Sequence, residues 1–471
     1  MNPLTLREVL DATGAILLQG DPNQIITGVS TDSRTLDQGA IFLALSGPNF
    51  DGNLFVSAAA AAGAAALLLR AEHKEELEPG LLGSVDDRTA VLIHPDPRRA
   101  LADLAGWVRS TLPATIVAIT GSSGKTTTKD MLHGLLSPLQ SVVASPASYN
   151  NDIGVPLTLL MASKKTETLA LEIGSNNPGE IAGLCRIAKP DAGVITNIGT
   201  AHLEGLGSVD GVAREKGDLA ASLSRNGFLV LNADCRFTKT IAARTAARVI
   251  TFSIEATPGE EGDLDARKLY FHSGGTTFTL NGHEVTMPLL GTHNVQNLLA
   301  ALAVCLGLGL TLEEVLPGVA QLHGSRQRME RVVLDGVTIF DDSYNANPDA
   351  ARAAVRVLAG VHGHKRRVLV LGDMLELGDL AAELHHRVGR EAAEAGIDRI
   401  VLVGELARAA AAGALEGGLS HQAVTHVPTT EEALSLVEEL VQEGDVVLVK
   451  GSRRMRLERI VKHLQMVREE V

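Results

Sequence analysis

Residues Thr115 to Leu136 read TIVAITGSSGKTTTKDMLHGLL, and their pattern decides the fold. A β-branched apolar run, Ile116 to Ile119, gives way to the turn Gly121-Ser122-Ser123-Gly124-Lys125-Thr126. Behind it, Met131, Leu132, Leu135 and Leu136 fall on one helical face. Strand, glycine turn and helix are the setting a phosphate cradle needs. Glycines let backbone N–H groups approach phosphate oxygens, and the helix start adds the positive end of its dipole. Lys125 is spaced to reach β- and γ-phosphates, and the Thr126 hydroxyl to hold Mg2+. Six positions before the lysine stands Ile119, where the longer consensus has glycine. The signal is therefore GxxGKT in its strand–helix context.

Outward from this stretch, 471 residues are too many for one ordinary core, so several domains are expected. Aromatic residues make up only 3% of a chain rich in Ala, Gly, Leu and Val, which suits closely packed α/β layers. The net charge of −14 carries no basic stripe, which argues against a nucleic-acid partner but not against local anion sites. Cys185, Cys235 and Cys305 are far apart, without metal spacing, and read as small apolar residues of a reducing compartment. No apolar run approaches membrane-spanning length, and the N-terminus lacks a secretory pattern. A cytoplasmic protein without membrane insertion is expected, with a monomer as the default.

In the first 110 residues, a helix at Thr5 to Thr13 and short strands at Ile25–Ser30, Ile41–Leu45 and Ala66–Leu69 predict a small α/β unit. The second region carries the glycine turn and recurring strands at Thr168–Ile173, Ala192–Asn197, Phe228–Asn232 and Val249–Phe252. Helical patterns between them predict a mostly parallel sheet. Asn281-Gly282 between two alternating runs predicts a hairpin, hence a β insertion. From residue 323, strands at Thr338–Phe340, Val368–Leu371, Ile400–Val403 and Val446–Val449 predict a doubly wound unit without its own lysine loop.

Several residues stand where chemistry is placed. Glu172 ends a strand beside the glycine turn, a position suited to Mg2+. His202 and Glu204 follow the next strand and could serve the same ion, although a lone histidine is more often structural. Lys216 by itself is an ordinary helix-surface lysine. Asn294 and Asn297 share a helical face and could bond a base, or simply cap the helix. The loop Asp341-Asp342-Ser343-Tyr344-Asn345-Ala346-Asn347-Pro348 follows a strand, as ligand rims do.

In this order the segments GSSGKT, LEIG, AHLEG, GTHNVQN and RMERV resemble the Mur ligase family of ATP-dependent peptidoglycan-precursor ligases. The resemblance covers nearly the whole chain. SYNNDIGVPLTLL from Ser148, GDMLELG from Gly372, DDSYNANPDA from Asp341 and VLVKGSR from Val447 look like the branch that joins D-alanyl-D-alanine to UDP-N-acetylmuramoyl-tripeptide. It implies three domains: a small N-terminal α/β UDP-sugar domain at 1–110, a central phosphate-loop ATPase with a β insertion at 111–322, and a C-terminal Rossmann-like ligase domain at 323–471. Hinges are then expected near 111 and 323.

The resemblance also implies roles. ATP would lie on Gly121, Ser122, Ser123, Gly124, Lys125, Thr126 and Thr127, with Asn294 and Asn297 at adenine and Arg328 and Asp342 reaching in from the C-terminal domain. Thr126, Glu172 and His202 would hold Mg2+, supported by Lys216 converted to a carbamate. Lys125, Lys216 and His202 would be catalytic. Asn150, Asn151, Asp152 and Ser175 would hold peptide or sugar, and Ser33, Pro48, Asn49 and Phe50 the uridine end. A folylpolyglutamate-type ligase, the Mur branch that adds the third residue, a non-catalytic nucleotide-binding scaffold and a simple kinase are the competing readings.

Overall fold

The computed structural model describes residues 1–47, 50–71, 85–86, 88–272 and 274–469. The stretch that opened the reading lies at the centre of a nine-stranded sheet. Its spatial order is Val142–Ala144, Thr168–Glu172, Thr115–Thr120, Ala192–Ile195, Phe228–Asn232, Arg248–Ile254, Leu264–His272, Gly275–Leu280 and His283–Met287. The first seven strands are parallel, and the last two follow as antiparallel hairpins, each opposed to the strand before it. Asn281 and Gly282 both take positive φ in the final hairpin, as a two-residue turn matched to strand twist requires. The chain runs from Thr115–Thr120 to one edge of the sheet, then returns to build the other. The crevice at that strand's carboxyl end is therefore the switch point where such sheets bind ligands. Helices Lys125–Leu136 and Thr292–Gly307 cover one face, and Pro97–Thr111, Gly154–Met161, Glu180–Ala188 and Val209–Ser222 the other. With both faces covered, the parallel strands read as unbroken apolar runs.

The C-terminal sheet has six strands: Glu330–Leu334, Val337–Asp342, Asp445–Lys450, Arg366–Gly372, Arg399–Val403 and Val424–Val427, in that order. All neighbours are parallel except the first pair. The N-terminal sheet has five: Ile16–Gln19, Ala90–His94, Ala66–Arg70, Ala40–Leu43 and Gly28–Ser30, with the first pair antiparallel. Its leading helix, Leu6–Thr13, begins where Thr5 and Glu8 cap one another reciprocally. Among the described residues no helix is long and apolar enough to cross a membrane.

The two outer sheets join the central one differently. Leu6, Ile41 and Leu68 of the N-terminal unit share one apolar core with Leu101, Leu104, Val155, Leu159, Ile181 and Leu184. Helix Pro97–Thr111 lies inside that core, so the hinge expected near residue 111 is instead a packed seam. The C-terminal unit meets the central one through polar side chains around the glycine turn and through an apolar contact at Leu203, Leu206 and Val212, flanked by Ile198, Val209 and Leu290.

Candidate active site

The glycine turn is held from beside and behind. Ser122 N donates to the Asn197 carbonyl (3.1 Å) and Ser123 N to Asn197 Oδ1 (3.0 Å), while Asn197 Nδ2 donates to Ser123 Oγ (2.8 Å). Gly124 has φ +80°, and a Cβ there would lie 2.2 Å from Asn297 Oδ1. A Cβ on Gly121 would lie 1.9 Å from Thr196 Oγ1. Any larger residue would push the turn off its neighbours.

Around the turn the polar groups converge. Thr126 Oγ1 donates to Glu172 Oε2 (2.7 Å) and Asn150 Nδ2 to Glu172 Oε1 (2.8 Å), although Glu172 is only 1% exposed. Lys125 Nζ donates to the Gly121 carbonyl at 2.9 Å. Burial pushes the Lys125 ammonium below its ordinary range; Glu172 opposes the shift and Arg328 adds to it. An arriving phosphate would restore what burial removes. From the C-terminal unit, Arg328 Nη2 donates to Thr126 Oγ1 (2.9 Å) and Asn347 Nδ2 to the Ser122 carbonyl (3.3 Å). Asp342 pairs with Lys450 at 2.6 Å, its register partner on the next strand.

Lys216, which reads in sequence as a surface lysine, is fully buried because helix Val209–Ser222 is covered on both flanks. Its Nζ finds no hydrogen-bond partner among the described residues. Burial first, then the nearby Lys125 charge, lowers its pKa to about 7, against the pull of Glu215. Glu215 itself accepts from Gly179 N (2.6 Å) and Ile181 N (2.8 Å), capping helix Glu180–Ala188. His202 takes a left-handed backbone (φ 55°), with Nδ1 2.6 Å from Glu376 Oε2. Against a carboxylate that nitrogen must donate, and in the neutral ring Nε2 is then the acceptor. Glu204, grouped with His202 in the sequence reading, is exposed, and its backbone N–H bonds the Glu376 carbonyl. Burial lowers His293 to about 4, so its ring is neutral beside Asp342 and Lys450.

Among the described residues no three His, Cys, Asp or Glu side chains gather as a metal cluster. The available donors are the Thr126 hydroxyl, the Glu172 carboxylate and His202 Nε2. Lys216 would join them only after conversion to an anion. Oxygen donors on a buried carboxylate suit a hard divalent cation. An unpartnered amine of pKa about 7, unprotonated in about half of the molecules at neutral pH, suits reaction with CO2, so the residues fit the implied group.

Three cavities meet here. One of about 480 Å3 is lined by the glycine turn, Thr127, Asn294, Asn297, Arg328 and Asp342. A second, about 970 Å3, shares Lys125, Asn150 and His202 with it, and adds Asn151, Asp152, Ser175 and Arg98. The third, about 450 Å3, shares Arg98 and adds Leu45, Ser46, Gly47 and Arg70 of the N-terminal unit. Ser33 and Phe50 stay outside these three, Phe50 pairing with Gly47 in a short hairpin. Pro48 and Asn49 lie outside the described residues. Sequence reasoning assigned no role to Asn197, Lys129, Glu376, Lys450 or Arg98. Lys129, only 2% exposed, donates to the Ser145 (2.6 Å) and Ala147 (2.8 Å) carbonyls and so holds the loop before Asn150. Its signal was a lysine on the apolar side of a helix. Glu376 and Lys450 lay inside the quoted GDMLELG and VLVKGSR segments.

Comparison with known proteins follows the same three-part division. Residues 25–107 match the model "Mur ligase family, catalytic domain", 119–305 "Mur ligase middle domain", and 327–453 "Mur ligase, glutamate ligase domain". The chain is 37% identical to the UDP-N-acetylmuramoyl-tripeptide–D-alanyl-D-alanine ligase of Escherichia coli, over 99% of both chains. It is 36% identical to the Bacillus subtilis protein of that name, over 93% of both. Among solved structures it resembles MurF of Acinetobacter baumannii (TM-score 0.86, 34% identity, 99% of both chains). It also resembles MurF of Thermotoga maritima in complex with ADP (TM-score 0.78, 27% identity, 94% of this chain and 98% of that one).

Proposed function

This chain belongs to the Mur ligase family, and from that premise we propose that it is the ATP-dependent ligase that joins D-alanyl-D-alanine to UDP-N-acetylmuramoyl-tripeptide in peptidoglycan synthesis. The observation that carries the reading is the junction at Lys125. There the cavity of the glycine turn opens into one that runs, through Arg98, to the N-terminal unit. A nucleotide on the turn and a long substrate anchored at the N-terminal unit would meet at that lysine.

A carboxylate is a poor acyl donor because its leaving group would be oxide. Transfer of the γ-phosphoryl group of ATP to the terminal carboxylate of the tripeptide gives an acyl phosphate. The amine of D-alanyl-D-alanine then attacks the acyl carbon, expelling phosphate and forming the amide. Backbone N–H groups from Gly121 to Thr126 would cradle the phosphates, and Lys125 and Arg328 would face the charge that develops during transfer. Asn294 and Asn297 are assigned to the adenine side, Asp342 to the rim, and Asn150, Asn151, Asp152 and Ser175 to the peptide. Ser33 and Phe50 would lie near the uridine end. Thr126, Glu172 and His202 would hold Mg2+, with Lys216 as a carbamate beside them. Offsetting the phosphate charge is the chemistry that a divalent cation supplies when bound. Seating the C-terminal unit would keep water from the acyl phosphate.

The domains are taken as 1–110, 111–322 and 323–471. Three unpaired thiols fit a cytoplasmic, reducing compartment, and a monomer suffices for the site. The test is phosphate release from Mg-ATP with UDP-N-acetylmuramoyl-tripeptide, carrying diaminopimelate or lysine as third residue, and D-alanyl-D-alanine. Release that needs both substrates and yields a pentapeptide by mass supports the reading. ADP with a stable phosphorylated product and no amide would indicate a kinase, and ATP binding without turnover a scaffold.

A further inference from the structure

Arg328 sits in an unusual setting. Its neighbours Gln327 and Met329 both have positive φ, 58° and 56°, a costly arrangement for two side-chain-bearing residues flanking a third. The kink is secured at every step. Arg328 N donates to the Ser325 carbonyl (3.1 Å), Gln327 N to Glu330 Oε2 (2.9 Å), Met329 N to Asp342 Oδ1 (3.2 Å), and Tyr344 N to the Gln327 carbonyl (3.2 Å). The backbone thus presents Arg328 away from its own sheet, towards Thr126. A long side chain on such a kink still has several rotamers. Here the guanidinium lies over the Tyr344 ring, Cζ 4.3 Å from its centroid, while Nη2 bonds Thr126 Oγ1. Arg453 adds a second guanidinium 5.6 Å from the same ring. The Tyr344 hydroxyl is hydrogen-bonded to Ser148 Oγ, on the loop of the central unit that also sends Asn150 to Glu172.

We propose that Tyr344 is a positioning residue for Arg328: its ring carries the guanidinium, and its hydroxyl ties that pair to the central unit through Ser148. Arg328 is then aimed at the phosphates only when the C-terminal unit is seated. A planar guanidinium stacked in advance loses little freedom when phosphate arrives, so the tyrosine contributes to the chemical step rather than to substrate capture. The inference rests on the assignment of Arg328 to the phosphates made above.

The test measures kcat and KM of the full-length enzyme with Mg-ATP and both substrates. Tyr344→Leu is expected to lower kcat about tenfold with little change in KM for the tripeptide substrate. Tyr344→Phe, which keeps the ring, should recover part of that rate. Ser148→Ala should match Tyr344→Phe, each losing about threefold, without adding to it. In an Arg328→Ala background, Tyr344→Leu should cost nothing further. Additive losses in the double variant, or wild-type kcat in Tyr344→Leu, overturn the proposal. Full kcat in Arg328→Ala would instead overturn the assignment of Arg328 itself. Tyr344 is a partly exposed loop residue, and Tyr344→Phe reads the hydroxyl tie even if the leucine variant is unstable.

Discussion

The central sheet carries two seams of opposite character. Towards the N-terminal unit it is joined by leucine, isoleucine and valine side chains in one continuous core, with helix Pro97–Thr111 inside it. Towards the C-terminal unit an apolar patch at Leu203, Leu206 and Val212 is accompanied by a set of hydrogen bonds around the glycine turn: Asp349 Oδ2 accepts from Thr200 N (2.6 Å) and Oγ1 (2.8 Å), Ser325 bonds Asp130, Arg328 bonds Thr126, and Asn347 bonds Ser122. Apolar area stabilises in proportion to its burial and has no good alternative in water. Polar partners can exchange for water at small net cost. A seam that must open to admit substrates and close to exclude water is therefore better made of the second kind. The apolar seam keeps the N-terminal sheet at a set distance from Lys125.

The largest expected effect lies between the seams, on the floor that both share. Lys216→Ala should lower turnover about 10^3-fold, or ~4 kcal/mol, and small carboxylates such as formate should restore part of it. Absence of rescue in a folded variant would count against the carbamate. On the apolar seam, Leu104→Ala should cost about 3 kcal/mol of stability by denaturant unfolding, with N-terminal and central units unfolding together. Separate transitions would break the comparison.

Lys216 also makes stability depend on pH. Its folded pKa of about 7 lies below the ordinary 10.5, so between those values the unfolded chain holds a proton that the folded one lacks. Stability therefore rises with pH across that window. In CO2-free buffer, wild type should gain about 2 kcal/mol over Lys216→Met from pH 7 to about pH 9. A flat difference would mean that the amine is not desolvated.

On the polar seam, Asp349→Ala should reduce kcat about tenfold, ~1.4 kcal/mol, with an unchanged melting temperature. A loss of stability instead would make this seam structural. The smallest effect is that of salt. Raising it from about 0.05 M to about 0.5 M should loosen the C-terminal unit by under ~1 kcal/mol, seen as faster amide exchange at residues 325–329 and not at 100–108.

Reading the sequence went furthest where chemistry is local. The strand, turn and helix around Gly121 to Lys125, the Asn281-Gly282 hairpin and the parallel strands needed only neighbours in the chain. Strands Ile16–Gln19, Val142–Ala144 and Val424–Val427 were not anticipated, being short edge strands whose residues are only partly buried and carry a weak pattern. The hinge expected at residue 111 became a seam because the apolar stripe of helix Pro97–Thr111 faces two units at once. Helical periodicity shows that a stripe exists but not what covers it.

Order along the chain was enough to determine three α/β units, a phosphate turn and a family, because glycine geometry, apolar periodicity and motif spacing are properties of short segments. Only the tertiary structure could turn Lys216 from a surface lysine into a buried, unpartnered amine, seat Arg328 on Tyr344, and set Glu376 against His202. Desolvation and contact between residues of different elements depend on how those elements pack, and no local pattern encodes that.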